Sequence, residues 1–270
     1  MKLLDFEDVK EIQLNILQNV HDFCMENDII YFLDSGTLIG AIRHDGYIPW
    51  DDDIDICMTR NQYREFAAKF NKSSSRYKLV NHDNNPAYPY EFAKIVDTET
   101  VLIENVSNPY KLGINIDLFI LDKVPNDEKI LNKIDSQIKL LNIFLQMKYF
   151  KVSSIGKSNR VFKIIATPFI YFIRLFYSVN FIIEKMLKIH SLYENCDSDY
   201  YAWTSNRFFD KKMIFKSEWF DEILVHKFEN REFYIPVGYD EYLRTVYGDY
   251  LELPPENQRV THHSYKAYLK

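Results

Sequence analysis

Apolar residues recur at helical spacing over residues 8–27, where Val9, Ile12, Ile16, Val20 and Phe23 share one face. A short apolar run at 29–33 has strand length, and Ser35-Gly36-Thr37 then opens a small apolar helix over 38–43. After Asp45-Gly46 the pattern changes period: in DDDIDICM acids alternate with Ile54 and Ile56, which predicts a strand entered from an acidic turn. A helix over 62–70 follows, then strand-like pieces at 77–80, 91–96, 100–104 and 114–121. Beyond Pro125, residues 126–150 are helical through Ile130, Ile134, Ile138, Leu141 and Leu145. A Ser/Lys/Gly linker stands at 153–158, and a further helix is expected over 239–247. One helix followed by a mixed sheet is an α+β or α/β pattern.

Composition narrows the class. With 270 residues and 47% hydrophobic positions the chain can bury a large core, so disorder is excluded. Cys24, Cys57 and Cys196 are odd in number and lie in no CxxC or Cys/His cluster, so they read as reduced thiols rather than zinc ligands. Acids follow the first residues at once, unlike a signal peptide. A net charge of −6 speaks against a nucleic-acid role.

That charge is unevenly spread. Residues 148–190 hold eight Lys or Arg against Glu184 alone. The apolar stretch 164–183 is about long enough to span a bilayer, but Arg174 would sit near the membrane centre. Arg160, Lys163, Thr167, Tyr171, Arg174 and Ser178 fall along one helix face, with Phe169, Ile170, Phe172, Ile173, Phe176 and Phe181 elsewhere. That pattern predicts a helix lying on an anionic membrane surface, a core helix being the alternative.

Gly36, Gly40 and Gly46 fall just before four aspartates. Asp53 and Asp55, two apart on a strand, project to one side and can share a cation. Mg²⁺ takes hard oxygen ligands, and two such ions clamp the attacking and leaving oxygens in phosphoryl transfer. Asp117, which interrupts the apolar run GINIDLFIL, supplies a third carboxylate, since a buried acid is costly unless paired or metal-bound. The turn at Gly36-Thr37 offers backbone N–H groups to phosphate oxygens. A solvated acidic loop is the bland alternative, and the EF-hand spacing is absent. Asp51 and Asp52 read as turn formers or outer supports.

The stretch FLDSGTLIGAIRHDGYIPWDDDIDICM closely resembles the opening motif of the LicD family of bacterial phosphocholine transferases, to which fukutin and the fukutin-related protein are similar. The resemblance continues through EFAKIVDTET, INIDLFILDKVP and FENREFYIPVGYDEYLRTVYGDYLELPP, and so covers most of the chain outside 126–200. It implies an α+β nucleotidyltransferase-like mixed sheet with flanking helices and an added helical insert. The expected organisation is a catalytic core at 1–125, the basic insert at 126–200 and a C-terminal segment at 201–270 completing the substrate site. The superfamily pattern maps onto Gly36-Thr37, Asp53/Asp55 and Asp117. Thr37 departs from the usual Gly or Ser, and the stretch from it to Asp53 is longer than usual.

By this resemblance, Mg²⁺ or Mn²⁺ at Asp53, Asp55 and Asp117 serves transfer of an alcohol phosphate from CDP-choline or another CDP-alcohol donor. The acceptor is a hydroxyl of a surface glycan or its lipid-linked precursor, CMP leaves, and Asp117 is the general-base candidate. Arg43, His44 and Lys94 are candidate substrate ligands. Against this stand a helix-end surface charge for Arg43, a helix cap for His44 and an ion pair for Lys94. Trp50 is expected to pack beneath the aspartates; Arg259, His262 and His263 receive no role. The implied location is cytoplasmic, peripheral at the inner face of the membrane. The alternatives are a nucleotidyltransferase that releases pyrophosphate and a non-catalytic membrane- or glycan-binding scaffold.

Overall fold

The computed structural model describes residues 1–104, 111–149, 160–203, 213–261 and 265–270, and for Glu104 and 160–166 the backbone alone. The linker at 153–158, the pair His262-His263 and the side chains of Arg160 and Lys163 lie outside the described residues.

The fold is α+β. Strand β1 (Lys2–Leu3) leads into α1 (Phe6–Glu26), which starts in a capping box: Asp5 accepts from the Asp8 N–H and Asp8 reaches back to the Asp5 N–H. Then come β2 (Phe32–Leu33), α2 (Ser35–His44), β3 (Asp55–Thr59), α3 (Arg60–Ser73), β4 (Tyr77–Val80), β5 (Ala93–Asp97), β6 (Thr100–Glu104) and β7 (Asn115–Lys123). Three helices follow, α4 (Glu128–Tyr149), α5 (Arg160–Phe176) and α6 (Val179–His190). The chain closes with β8 (Tyr200–Trp203), β9 (Ile214–Lys216), β10 (Ile223–Phe228), β11 (Arg231–Pro236), α7 (Tyr239–Tyr247) and β12 (Tyr265–Leu269).

The central sheet runs β2-β3-β7-β5-β4, with β3 and β7 parallel and the other neighbours antiparallel. Strand β7 is long enough to pair its first half with β5 and its last residues with β8, so the C-terminal segment completes the same sheet. Beside it, β12 lies between β1 and β6, and β10-β11 form a hairpin. The main core gathers Ile16, Leu17, Val20, Ile56, Ile116 and Phe66 from α1, β3, β7 and α3. A second cluster joins Leu131, Ile134, Ile138 and Leu145 of α4 to Ile182 and Met186 of α6.

The basic insert departs from expectation. Helix α5 runs through Pro168 without stopping. Arg174 turns inward, its Nε donating to the Met147 carbonyl at 3.1 Å. Lys148 donates to the carbonyls of Arg174 (2.9 Å) and Tyr177 (2.7 Å). These two cations lock α4 to the end of α5, which takes Arg174 out of the expected stripe, because carbonyls at a helix C-terminus lack intrahelical partners. Ile170 and Ile173 are buried, while Phe169, Phe172, Leu175, Phe176 and Phe181 are exposed. The outward face is therefore aromatic. Among the described residues no helix is long and apolar enough to cross a membrane.

Candidate active site

Sheet register builds the site. Asp55 opens β3 and stands directly beside Asp117 in the parallel ladder, while Lys94 on β5 stands opposite Asp117 from the other side. Two carboxylates and an ammonium thus form one row across three adjacent strands. Lys94 Nζ donates to Asn115 Oδ1 at 2.9 Å and to Asp117 Oδ1. The lysine is therefore an ion-pair partner of the acid row, with its charge committed to Asp117.

The first turn of α2 holds the row from behind. The Asp55 N–H donates to Thr37 Oγ1 (2.9 Å) and its carbonyl accepts from the Asp34 N–H (3.0 Å), while the Asp117 N–H reaches the Ile54 carbonyl (2.8 Å). Thr37, buried, acts through its hydroxyl, which explains a hydroxyl residue at this position. Gly36 is needed for closeness: a Cβ there would stand 2.5 Å from Asp51 Oδ2. Ser35 takes a left-handed backbone (φ 48°) to make the entry, a conformation non-glycine residues adopt at a cost.

Asp53 corrects the expected strand. Regular pairing starts only at Asp55, so Asp53 lies in the lead-in segment with Asp51 and Asp52. Carboxylate oxygens of Asp51, Asp52 and Asp53 lie within 4.8 Å of one another. Alternation did not place them; the lead-in is pinned instead by Gln13 Nε2, which donates to the Asp52 carbonyl at 3.1 Å. Asp51 and Asp52, read as turn formers or outer supports, thus belong to the acidic cluster itself. A small cavity bounded by Asp52, Asp53, Lys94 and Asp117, with Gln13 and Tyr265, joins this cluster to the row.

The electrostatics follow from the crowding. Burial, and then the charges of Asp53, Asp117, Asp34 and Asp51, push the Asp55 carboxyl well above the usual carboxylate range. Such a set of hard oxygens fits a divalent cation, which would reverse that shift. Behind it, Asp34 caps α2 and is fully buried. Burial raises its carboxyl to about 6, offset in part by Tyr242, the Ser35 N–H, Cys57 and Trp203. The Tyr242 hydroxyl and the Ser35 N–H both donate to Asp34 Oδ1. Asp34 was missed from sequence, although an aspartate just before a helix is an N-cap signal.

Two expected ligands lie elsewhere. Arg43 Nη1 donates to the carbonyls of Tyr250 (2.6 Å) and Glu252 (3.2 Å), so it anchors the C-terminal segment rather than facing the cavity of the acid row. His44, the last residue of α2, accepts from Arg43 Nε at 3.4 Å and packs edge-on to Trp50. Burial and then Arg43 lower its pKa, consistent with a neutral ring at the end of the helix. Trp50 is half-buried against the core.

Residues 28–119 match the family model "LicD/FKTN/FKRP, nucleotidyltransferase domain". Over the full length of both chains, the protein is 34% identical to the lipopolysaccharide cholinephosphotransferase LicD of Haemophilus influenzae. The chain belongs to the LicD family. A shorter stretch of 41 residues, 15% of each chain, is 49% identical to the uncharacterized protein RP689 of Rickettsia prowazekii. A stretch of the same length is equally similar to the uncharacterized protein RT0683 of Rickettsia typhi. The acidic row and its α2 support are thus carried by a LicD chain whose similarity also runs through the helical insert.

Proposed function

We infer that the protein is a phosphotransferase that moves phosphocholine from a CDP-activated donor to a hydroxyl of a lipopolysaccharide-type glycan, releasing CMP. The observation that carries this reading is the Asp55–Asp117–Lys94 row joined to the Asp51–Asp53 cluster, in a chain similar along its whole length to a cholinephosphotransferase. Asp53, Asp55 and Asp117 would hold Mg²⁺ or Mn²⁺, with Asp51 and Asp52 beside them. When bound, the cation neutralises diphosphate charge that this acidic pocket would otherwise repel.

The chain's own groups account for the rest. Thr37 and the Asp34 N–H hold the Asp55 backbone on both sides of its Cα, which positions the root of its side chain before reaction. Asp117 takes the proton of the acceptor hydroxyl as its oxygen bonds to the distal phosphorus and the bond from that phosphorus to CMP breaks. Lys94, by holding one Asp117 oxygen, orients the other for that role.

The acceptor class supports a peripheral position at the membrane, the glycan being lipid-anchored. We assign that contact to the exposed aromatic face of α5 and α6, with exposed Lys185 and Lys188 beside it for anionic headgroups.

A donor screen tests the assignment. The purified chain with Mg²⁺ should release CMP from CDP-choline and acceptor glycan, and Asp55→Asn should abolish the release. Release of pyrophosphate from a nucleoside triphosphate instead would establish nucleotidyl transfer and overturn the reading.

A further inference from the structure

A cleft of about 470 Å³, within the range of small-molecule sites, opens at Trp50, the residue that precedes the acidic cluster. Trp50, Tyr247 and Tyr250 supply its rings and Asp249 and Glu252 its acids. It adjoins the reaction centre through two connections. Trp50 directly precedes Asp51, whose carboxylate rests against Gly36. Burial, and then the charges of Asp34, Asp55 and Asp51, push the Tyr247 hydroxyl up.

The chemistry of the cleft favours a cation. Two of its rings already carry guanidinium groups over their faces, Arg259 at 5.6 Å from the Trp50 centroid and Arg244 at 5.8 Å from that of Tyr250. Tyr247 has no such cation among the described residues. Arg43 also lines the cleft, but its Nη1 is spent on the carbonyls of Tyr250 and Glu252. Asp249 and Glu252 form no ion pair with a described residue. Asp249 acts also on the Arg244 guanidinium, and aromatic faces beside carboxylates attract a weakly hydrated cation.

We propose that this cleft is the subsite for the quaternary ammonium head of the transferred group, with Tyr247 as the ring it stacks on and Asp249 and Glu252 as its counter-charges. The inference rests on the phosphocholine reading and deepens it. A short two-carbon spacer separates a choline nitrogen from its phosphate. In the proposed placement the phosphate points from the cleft past Trp50 toward Asp51, with the nucleotide on the far side.

The test uses the full chain and measures binding of tetramethylammonium, phosphocholine and CMP by tryptophan fluorescence, then KM and kcat with CDP-choline. Tyr247→Leu and Asp249→Asn should each weaken tetramethylammonium and phosphocholine binding about tenfold. Tyr247→Phe, which keeps the ring, should retain parent affinity, and CMP binding should stay constant throughout. KM for CDP-choline should rise in the weakened variants with kcat little changed. Weakened CMP binding with unchanged tetramethylammonium binding would make the cleft a nucleotide site and overturn the inference. CMP release from CDP-choline without tetramethylammonium binding would overturn it while leaving the phosphocholine reading standing. Tetramethylammonium binding that is lost in Tyr247→Leu, in a chain inert toward CDP-choline, would retain the subsite and remove the reaction.

Discussion

The backbone of Asp55 is held on both sides of its Cα by the start of α2, through Thr37 Oγ1 and the N–H of the capping Asp34. Groups that orient a metal ligand without touching the metal typically contribute 10–100-fold in affinity. Thr37→Val keeps the shape and removes the acceptor, so Mn²⁺ affinity measured by titration should fall by about that factor while the fold survives. Thr37→Ser should restore it. Asp34 makes a second, pH-dependent prediction. Its carboxyl ionises at about 6 in the folded chain against 3.8 in the free residue. Between those values the folded chain binds more protons than the unfolded one, so stability falls as pH rises from about 4 to about 6, by about 3 kcal/mol for this group. Below that window the protonated acid resembles an amide. Asp34→Asn in the presence of a chelator should therefore raise the unfolding midpoint at pH 7 and leave it unchanged near pH 4. A gain independent of pH would show that ionisation of Asp34 is not the cause.

At the level of elements, much of the site was legible because strand periodicity and sheet register act together. The single acid in GINIDLFIL marked β7, and the start of β3 placed Asp55 beside it. Lys94 was found for its charge, but its partner depended on β5 crossing to the other edge of β7, a long-range pairing that no local pattern encodes. The partners of Arg43 were hidden for the same reason: the carbonyls it holds lie more than two hundred residues away in sequence. Its position at the end of α2 spoke equally for a phosphate ligand and for a structural clamp. The geometry favours the clamp and makes a prediction. Arg43→Ala should cost about 1–3 kcal/mol of stability in chemical denaturation, since hydrogen bonds from a charged donor are lost and the carbonyls of Tyr250 and Glu252 lose their anchor. A variant of parent stability whose only defect is in phosphate binding would return Arg43 to the ligand set.

At the scale of the whole molecule, the proposed chemistry and the proposed membrane contact fall on different parts of the fold. The acid row lies on the central sheet, whereas the exposed aromatic face belongs to helices packed on a second apolar cluster. Sequence alone assigned cations to the outward side of this insert because helical spacing aligns Arg174 with Ser178; it could not show that Lys148 and Arg174 are drawn to the carbonyls where α4 meets α5. If the insert meets the membrane as proposed, binding depends on inserted rings, with lysines as a secondary attraction. The two contributions respond differently to salt, because electrostatic attraction to anionic headgroups is screened within a Debye length and apolar insertion is not. Vesicle sedimentation should therefore show binding that weakens only modestly as salt rises and falls sharply in a Phe172→Glu/Phe176→Glu variant. Both residues are exposed, at 48% and 64%, so the substitutions leave the core intact. CMP release with a water-soluble acceptor should be unchanged in that variant, while turnover of a vesicle-embedded acceptor should drop in step with binding. Parallel losses with both acceptors would mean that the insert shapes the active site, and the division between chemistry and delivery would not hold.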